Sequence, residues 1–364
     1  MKNKFYYLLA VLLISFSNIQ SQNSLSNVWD LLLKNKREEA KSLFDKNFAS
    51  KKNSDIDLFV TDLILQSENG KIMFGDEGIE DFVKFPNANL YLFPMYNHPM
   101  FEFSSESSNS VVKFQALDKL FQDEKFKNDE IVKLIKLKSN NYRRIKSNLS
   151  DDINSINNWQ VCGVFENLNK SGLSTVYEPE NYPQNDKMFN ARNNGWVNWY
   201  VNPNKLNKKG YFYLDNESLY GSGIVYTQVF VESPSDQRVR LNFGYKNNIK
   251  VFLNDVEIYM DDEAHSNYPG SNIFEVNLSK GNNRLLVKYE VQSYSNNYFL
   301  FNFSDAKGKK IENLVYHNSY KEYSKSTAES INKVKIDPEY EVYFRATPAS
   351  SPNYWLHQYL LVLC

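Results

Sequence analysis

The chain has 364 residues, which is long for one ordinary hydrophobic core and predicts two or three domains. A formal net charge of -1 provides no basic field, so we expect no nucleic-acid partner. Aromatic residues make up 15% of the chain, which suits either an aromatic-rich β-sheet core or a surface that stacks on sugars. Only Cys162 and Cys364 are present, which excludes a disulfide scaffold, and Cys162 is predicted to pack as a small apolar group.

Residues 1–22 have the pattern of a secretory signal peptide. Lys2 and Lys4 precede an apolar run from Phe5 to Phe16, and this run of about a dozen residues is short for a membrane span. Ser17 and Ser21 offer small residues for cleavage. We therefore expect an exported protein in the periplasm, at the cell surface or secreted, without an integral membrane span after cleavage. A membrane anchor is the alternative that the length of the run disfavours.

Residues 23–150 are predicted to be helical. Apolar residues recur at helical spacing between Asn27 and Phe44 on both sides of a short polar break, and Ser54 or Asp55 can cap a further helix. The leucine-rich helix, polar turn and Glu-Glu-Ala helix at Leu31–Phe44 resemble a tetratricopeptide repeat, although no second copy follows at a spacing of about 34 residues. A basic stretch at 128–147 is predicted to be a solvated helix face rather than a site for an acidic partner.

Residues 154–305 are predicted to be β-structure. In the stretch Gly244–Glu290, apolar and polar residues alternate on both sides of Asn254-Asp255, which is the pattern of a β-hairpin. Asn254 and Asn283 are predicted to hold turns by hydrogen bonds to the backbone. Eight or more short strands with polar turns and no intervening helices predict an antiparallel sandwich of jelly-roll type. The whole chain is therefore predicted to be an α+β multidomain protein, with a tetratricopeptide-like helical region followed by a jelly-roll β-sandwich.

Residues 306–364 lose this alternation and are predicted to be a linker followed by the start of a C-terminal helical region. The segment 353–364 has the pattern of an apolar helix, yet the sequence shows neither a C-cap nor a partner helix for it. Since an exposed apolar helix is unfavourable, we expect the sequence either to be truncated or to end where a further helical region would start.

Aromatic and acidic residues concentrate between Glu166 and Lys209, a stretch predicted to be a long loop. Sugar rings present apolar faces that stack on Trp or Tyr, and their hydroxyls bond to carboxylates and amides. The predicted ligand-binding residues are Glu178, Glu180, Tyr182, Trp196, Trp199 and Tyr200. The alternative is structural, because Trp196 and Trp199 can instead cover the edge of the sandwich.

A second candidate site is the acidic turn Asp261-Asp262-Glu263, where clustered oxygens are suited to calcium. Its spacing matches no EF-hand, and an exposed acidic loop is the alternative. Calcium is the one cofactor that the sequence suggests. The sequence contains no serine elbow, zinc-binding HExxH or phosphate loop, and no pair of acids can be assigned to glycoside hydrolysis.

Two motifs resemble a known family. The run Trp159–Glu166 followed by Tyr177–Glu180 resembles the opening of galactose-binding-like sandwiches, and Ile249–Asn254 with Gly281–Lys288 is similar to their internal signature. Val164 stands where proline is usual and Asp255 where glycine is usual. The resemblance covers about residues 154–305. The same signature is present in the non-catalytic sugar-binding domain of family 2 glycoside hydrolases. It implies a fold more than an activity, because such modules accompany tetratricopeptide helices and transglutaminase-like domains in exported bacterial proteins.

Together these patterns favour an exported, non-catalytic binding or scaffold protein whose partner is a glycan or an envelope protein. One alternative is the accessory N-terminal part of a longer enzyme, either a glycosidase or a transglutaminase-like protein, with its catalytic domain beyond residue 364. Another is a purely structural spacer. An enzyme within the residues present is the less favoured interpretation.

Overall fold

The computed structural model describes residues 24–67, 72–73, 81–97, 101–102, 155–202, 210–214, 222–263, 266–293 and 297–362. The predicted signal peptide and the basic stretch at 128–147 lie outside these residues. The chain divides into two compact units, Met1–Ile135 with Glu339–Cys364 and Lys136–Pro338. We call them the helical unit and the two-sheet unit. Among the described residues, no helix combines the length and the apolar character that a membrane span requires.

The α-helices are α1 (Leu25–Leu33), α2 (Arg37–Phe48), α3 (Ile56–Leu65), α4 (Ala88–Asn97), α5 (Glu178–Asn181), α6 (Ala328–Ile331), α7 (Glu339–Arg345) and α8 (Tyr354–Val362). Short 3-10 helices lie at Ala49–Lys51, Leu168–Lys170 and Arg192–Asn194. The strands are β1 (Ile72–Met73), β2 (Phe101–Glu102), β3 (Gln160–Phe165), β4 (Phe189–Asn190), β5 (Trp196–Val197), β6 (Tyr200–Val201), β7 (Phe212–Tyr213), β8 (Gly223–Ser233), β9 (Gln237–Lys246), β10 (Ile249–Leu253), β11 (Val256–Asp261), β12 (Ser266–Leu278), β13 (Gly281–Val291), β14 (Tyr298–Ser304), β15 (Val315–His317) and β16 (Val334–Ile336).

Consecutive helices begin the helical unit, as the sequence predicts. Helix α2 packs against α1 and α3, and Asp55 is the N-cap of α3, where its side chain accepts a hydrogen bond from the Asp57 N–H at 2.8 Å. This carboxylate satisfies one of the N–H groups that every helix leaves unpaired at its start. The tetratricopeptide character of these helices stays a prediction.

The far end of the chain completes the helical unit. Helix α8 packs against α1, α4 and α7, and the rings of Trp29 on α1 and Tyr359 on α8 lie 5.6 Å apart. The prediction that this C-terminal helix lacks a partner is therefore wrong. Its partners α1 and α4 lie far away along the chain, and periodicity within a short window does not identify them.

Two antiparallel sheets build the other unit. The first has the strand order β11-β10-β13-β8-β3-β6, with β15 also paired to β8, and the second has the order β16-β12-β9-β14-β7. The predicted hairpin at Asn254-Asp255 joins β10 to β11. The chain as a whole thus combines helices with antiparallel sheet, which confirms the predicted fold class at that level.

Apolar side chains from both sheets form one core. Val225, Val287 and Ile249 contribute from the first sheet, and Phe243 and Phe301 contribute from the second. Trp159 lies in the same core and its indole N–H donates to the Ile156 carbonyl at 2.9 Å. Burial of these large aromatic groups supplies much of the favourable free energy of folding.

The segment that the sequence predicts as a linker contributes further strands. Strand β15 pairs with β8, and β16 pairs with β12 at the margin of the second sheet. Tyr320 and Tyr323 lie against Phe230, with ring centroids 5.6 and 5.9 Å away. These short strands lack a long alternating pattern, which is why the sequence does not reveal them.

Candidate functional site

The stretch predicted as a long loop is an ordered layer over the first sheet. We call residues 166–202 the covering segment. It contains α5 and a two-stranded ribbon formed by β4 and β5, and its apolar side chains pack on the face of the sheet opposite to the shared core. The cluster between them, which we call the outer cluster, consists of Cys162, Phe165, Leu173, Tyr177, Phe189, Ala191, Trp199, Ile224, Tyr226, Phe252 and Leu286. Strand β8 is consequently buried on both faces.

Beneath the covering segment lies the fully buried Arg284 of β13. Its guanidinium donates to the carbonyl oxygens of Pro179 and Glu180 at 2.7 and 2.8 Å, to Gln228 Oε1 at 2.9 Å and to Asp255 Oδ1 at 3.1 Å. Because the planar guanidinium holds several donors in a fixed arrangement, it can satisfy these acceptors together. Arg284 therefore links α5 to the first sheet by hydrogen bonds.

A second buried cation, Lys288, lies four positions farther along β13 and is 1% exposed. Its ammonium group donates to Glu180 Oε1 at 2.8 Å and to the carbonyl of Thr175, and the hydroxyl of Tyr226 donates to the same Glu180 oxygen at 2.6 Å. Burial lowers the pKa of Lys288, and the Glu180 carboxylate offsets part of that shift. Burial, together with the Glu180 charge, raises the pKa of Tyr226.

The hairpin turn joins the same network. Asp255 accepts hydrogen bonds from the Tyr323 hydroxyl at 2.8 and 2.9 Å, and its carboxylate lies 3.2 Å from the Lys325 ammonium. Burial raises the pKa of Tyr323 to about 12, with smaller and opposing effects of Arg284 and Asp255. Two buried cations thus face two partly buried carboxylates, which balances the charge under the covering segment.

Asn254 and Asn283 hold the turns, as their sequence positions suggest. The Asn254 amide donates to Asn283 Oδ1 at 2.8 Å, and Asn254 Oδ1 accepts from the Arg284 N–H at 2.8 Å. Asn283 also bonds to both the N–H and the carbonyl of Ser279. The amides of the buried Asn254 and Asn283 therefore bind backbone and each other.

The structure separates the predicted aromatic residues. Trp199 is 2% exposed, belongs to the outer cluster and donates its indole N–H to the Tyr182 carbonyl at 3.2 Å. Tyr182 packs partly against that cluster and donates to Asp186 at 2.8 Å, and this hydrogen bond raises its pKa. Tyr200 packs against the core between the two sheets. Trp199 fits the structural alternative, since it covers the sheet.

Trp196 differs from its neighbours because 64% of its side chain is exposed. It lies on β5 directly opposite Asn190 of β4, and the next pair along the ribbon is Phe189 with Val197. Phe189 belongs to the outer cluster and Val197 packs against it. Successive side chains on a strand point to opposite faces. Phe189 and Val197 therefore anchor the inner face of the ribbon on the outer cluster, and Trp196 lies on its outward face.

The predicted acidic residues of the covering segment have different surroundings. The buried network engages Glu180, whereas Glu178 is exposed and pairs with Lys187 at 2.6 Å. Glu166 accepts from Arg192 at 3.1 Å and from the Asn193 amide at 2.7 Å. The predicted site is therefore divided between a buried layer and an exposed ribbon.

The acidic turn has a split environment. Asp261 is buried and accepts hydrogen bonds from the Tyr245 hydroxyl and the Glu263 N–H, whereas Asp262 and the Glu263 side chain are exposed. Burial, with the hydrogen bond to Asp261 as a further cause, raises the pKa of Tyr245. Within the described residues, no three His, Cys, Asp or Glu side chains come together in a way that could hold a metal ion. Calcium binding at this turn stays a prediction.

The helical unit contains a buried polar cluster that the sequence did not reveal. The Tyr91 hydroxyl donates to Asp57, and His357 Nε2 lies 3.0 Å from the same carboxylate oxygen. Thr347 Oγ1 lies 2.5 Å from His357 Nδ1, and the Asn353 amide donates to the other Asp57 oxygen. Tyr91, Asp57 and His357 are buried, so this arrangement joins α3, α4 and α8 from within.

No protein-family model matches the sequence, and no curated protein matches it at a significant level. One solved structure with weak similarity is a β-glucosidase from Kluyveromyces marxianus in complex with glucose, with a TM-score of 0.25 and 11% sequence identity. The match covers 40% of this chain and 15% of that chain. Similarity this low supports no statement about ligand or activity.

Sequence reasoning missed Arg284, Lys288 and Asn190. Both cations alternate with the inward-facing Leu285 and Val287, and this pattern normally indicates solvent-facing positions. Arg284 and Lys288 are buried because the covering segment, which is distant from β13 in sequence, packs over them. Asn190 carries no pattern of its own, and its place opposite Trp196 follows from the ribbon register.

Proposed function

We propose that this protein is an exported, non-catalytic glycan-binding protein. Its two-sheet unit would be a jelly-roll sandwich of the galactose-binding-like type, and Trp196 would be the residue that stacks on a sugar ring. The observation that carries the proposal is the exposed Trp196 on an anchored ribbon, because an exposed aromatic ring held on a fixed backbone is suited to stack on the apolar face of a sugar.

Three further features support the proposal. The sequence begins with the pattern of a signal peptide, which fits export to a glycan-rich environment. The motifs at Trp159–Glu166 and Gly281–Lys288 resemble those of galactose-binding-like modules. The carboxylates of Glu180 and Asp255 are engaged by Lys288 and Arg284, so neither is poised as a free acid or base.

The accessory-enzyme alternative drew on a C-terminal helix without partners. Helix α8 packs against α1, α4 and α7, so this helix no longer favours that alternative.

The test is binding of the purified protein to a glycan array, followed by calorimetry with the strongest ligands. We expect Trp196→Ala to weaken binding about tenfold or more, since about 1.4 kcal/mol of lost stacking corresponds to a factor of ten. Trp355→Ala is the matched control, because Trp355 is 39% exposed and lies in the helical unit. Its affinity should equal that of the native protein. Absence of binding to any glycan, or equal affinities of the native protein and Trp196→Ala, would refute the proposal.

A further inference from the structure

The outward face of the ribbon has a regular composition. Asn190 lies opposite Trp196, and the exposed Met188 and Asn198 lie just outside the two strands, two positions from Asn190 and Trp196 respectively. We call Met188, Asn190, Trp196 and Asn198 the ribbon face. All four residues are exposed, Met188 to 55%. Directly opposed side chains on paired strands have Cβ atoms about 5 Å apart, which brings apolar and amide groups within reach of one sugar ring.

The ribbon face retains hydrogen-bonding capacity. The Arg192 N–H donates to Asn190 Oδ1 at 2.8 Å, which orients the amide of this exposed residue. Among the described residues, neither the Asn190 NH2 group, nor the Asn198 amide, nor the Trp196 indole N–H has a hydrogen-bond partner. Sugar hydroxyls both donate and accept hydrogen bonds, and amides match both roles.

The ribbon face carries no charged side chain, and the charges beside it are paired internally. Lys187 pairs with Glu178 at 2.6 Å, and Arg192 pairs with Glu166 at 3.1 Å. An anionic sugar would therefore find no uncommitted cation among these neighbours. The loss of water from its carboxylate or sulfate would not be compensated.

The ribbon face is open rather than enclosed. Gly195, which precedes Trp196 at a φ of 81°, has so much space that an added Cβ would meet nothing within 4 Å. The ribbon itself is fixed, because the Ala191 N–H donates to the Gly195 carbonyl at 2.8 Å and Phe189 is buried in the outer cluster. An open, fixed surface contacts the side of a chain, whereas a pocket is needed to enclose the end of one.

We infer that the ribbon face binds an internal stretch of a neutral glycan chain. Trp196 stacks on the apolar face of one sugar, the amides of Asn190 and Asn198 bond to hydroxyls, and Met188 extends the apolar floor toward the next sugar. This inference rests on the proposed function and adds the charge class of the ligand and its mode of contact.

The experiment is calorimetry on the whole protein with three kinds of probe: neutral disaccharides, neutral hexasaccharides of the same linkage, and polygalacturonate as an anionic chain. We expect hexasaccharides to bind about tenfold more tightly than disaccharides, with little dependence on salt, and polygalacturonate to bind weakly. Asn190→Asp keeps the acceptor for the Arg192 N–H and removes the NH2 donor, so it should weaken neutral binding about threefold to tenfold. Asn53→Ala in the helical unit should leave neutral binding unchanged.

Two sets of outcomes are distinguishable. Salt-sensitive preference for polygalacturonate, or equal affinity for disaccharide and hexasaccharide, would overturn this inference while Trp196-dependent glycan binding persists. A different result would overturn both the proposed function and this inference. That result is no binding of any probe, or binding that Trp196→Ala does not change.

Discussion

At the scale of single residues, the buried cations of β13 decide how the covering segment is held. Arg284 and Lys288 bind the carbonyl oxygens of Thr175, Pro179 and Glu180, which have no partner within the short helix α5. A buried charge is favourable only when its hydrogen bonds are complete, and removal of one partner leaves the others unsatisfied. These two residues therefore stabilise the layer from which the ribbon projects.

Arg284→Met is predicted to destabilise the protein by about 3–5 kcal/mol, because it leaves buried carbonyl oxygens and the Gln228 amide without their donor. Lys325→Met is the matched control, since Lys325 also contacts Asp255 but is 67% exposed, and it should cost about 0–1 kcal/mol. Denaturant unfolding followed by tryptophan fluorescence measures both. Similar losses of unfolding free energy in the two variants would show that the burial of Arg284 does not determine its contribution to stability.

The residue scale also shows what the sequence could not supply. Trp196 and Trp199 are three positions apart with similar surroundings in sequence, yet one is exposed and the other is buried. Glu180 fits a sugar-binding carboxylate by composition, whereas in the structure it neutralises Lys288. These differences depend on contacts between β13 and the covering segment, and local patterns contain no information on such distant contacts.

At the scale of elements, strand positions were largely predictable. Alternation on both sides of Asn254-Asp255 identified β10 and β11, because one set of alternate side chains enters the apolar core. The ribbon and β15 were not predicted, because strands of two or three residues are too short to show a period. Helix α8 was predicted, but its partners were not.

The β10–β11 hairpin gives a test at this scale. Asn254 and Asp255 both have positive φ, 49° and 67°, which is the geometry of a two-residue type I′ turn and normally favours glycine at the second position. Asp255→Gly would relieve backbone strain, yet it would remove the acceptor for Arg284 and Tyr323.

We predict that Asp255→Gly lowers the free energy of unfolding by about 1–3 kcal/mol, because loss of the partly buried acceptor for the buried Arg284 outweighs the gain of roughly 1 kcal/mol from a favourable turn residue. Asn35→Gly, at the exposed positive-φ position between α1 and α2, tests the backbone effect at a different turn. Thermal unfolding compares the variants. An Asp255→Gly protein more stable than the native one would show that turn geometry dominates.

At the scale of the whole molecule, the helical unit is built from two separate parts of the sequence. One part precedes the two-sheet unit and the other follows it. The cluster of Asp57, Tyr91 and His357 joins helices from both parts, and Phe344 of α7 meets the Tyr91 ring edge-on at 5.0 Å. The fold of this unit thus depends on side chains that the sequence places at opposite ends of the chain.

Tyr91 makes this dependence sensitive to pH. Burial, with the Asp57 charge and hydrogen bond as further causes, raises the Tyr91 pKa well above its usual value of about 10. The folded unit therefore keeps a proton that the unfolded chain loses above pH about 10, so the contribution of Tyr91 to stability is complete below that pH and falls above it. The decrease for one proton is about 1.4 kcal/mol per pH unit.

We predict that denaturant unfolding of the native protein, followed by helical circular dichroism between pH about 9 and about 11, shows this decrease in stability. Tyr91→Phe should be less stable at neutral pH, since Asp57 loses a hydrogen-bond donor. Its free energy of unfolding should fall less steeply as the pH rises, because the contribution of the Tyr91 proton to the slope is absent. Tyr226→Phe removes a comparably shifted tyrosine from the two-sheet unit and should leave the pH dependence of the helical transition unchanged. An equal slope in the native protein and Tyr91→Phe would mean that the phenol ionises alike in the folded and unfolded states, and that the buried cluster does not link the helical unit to pH.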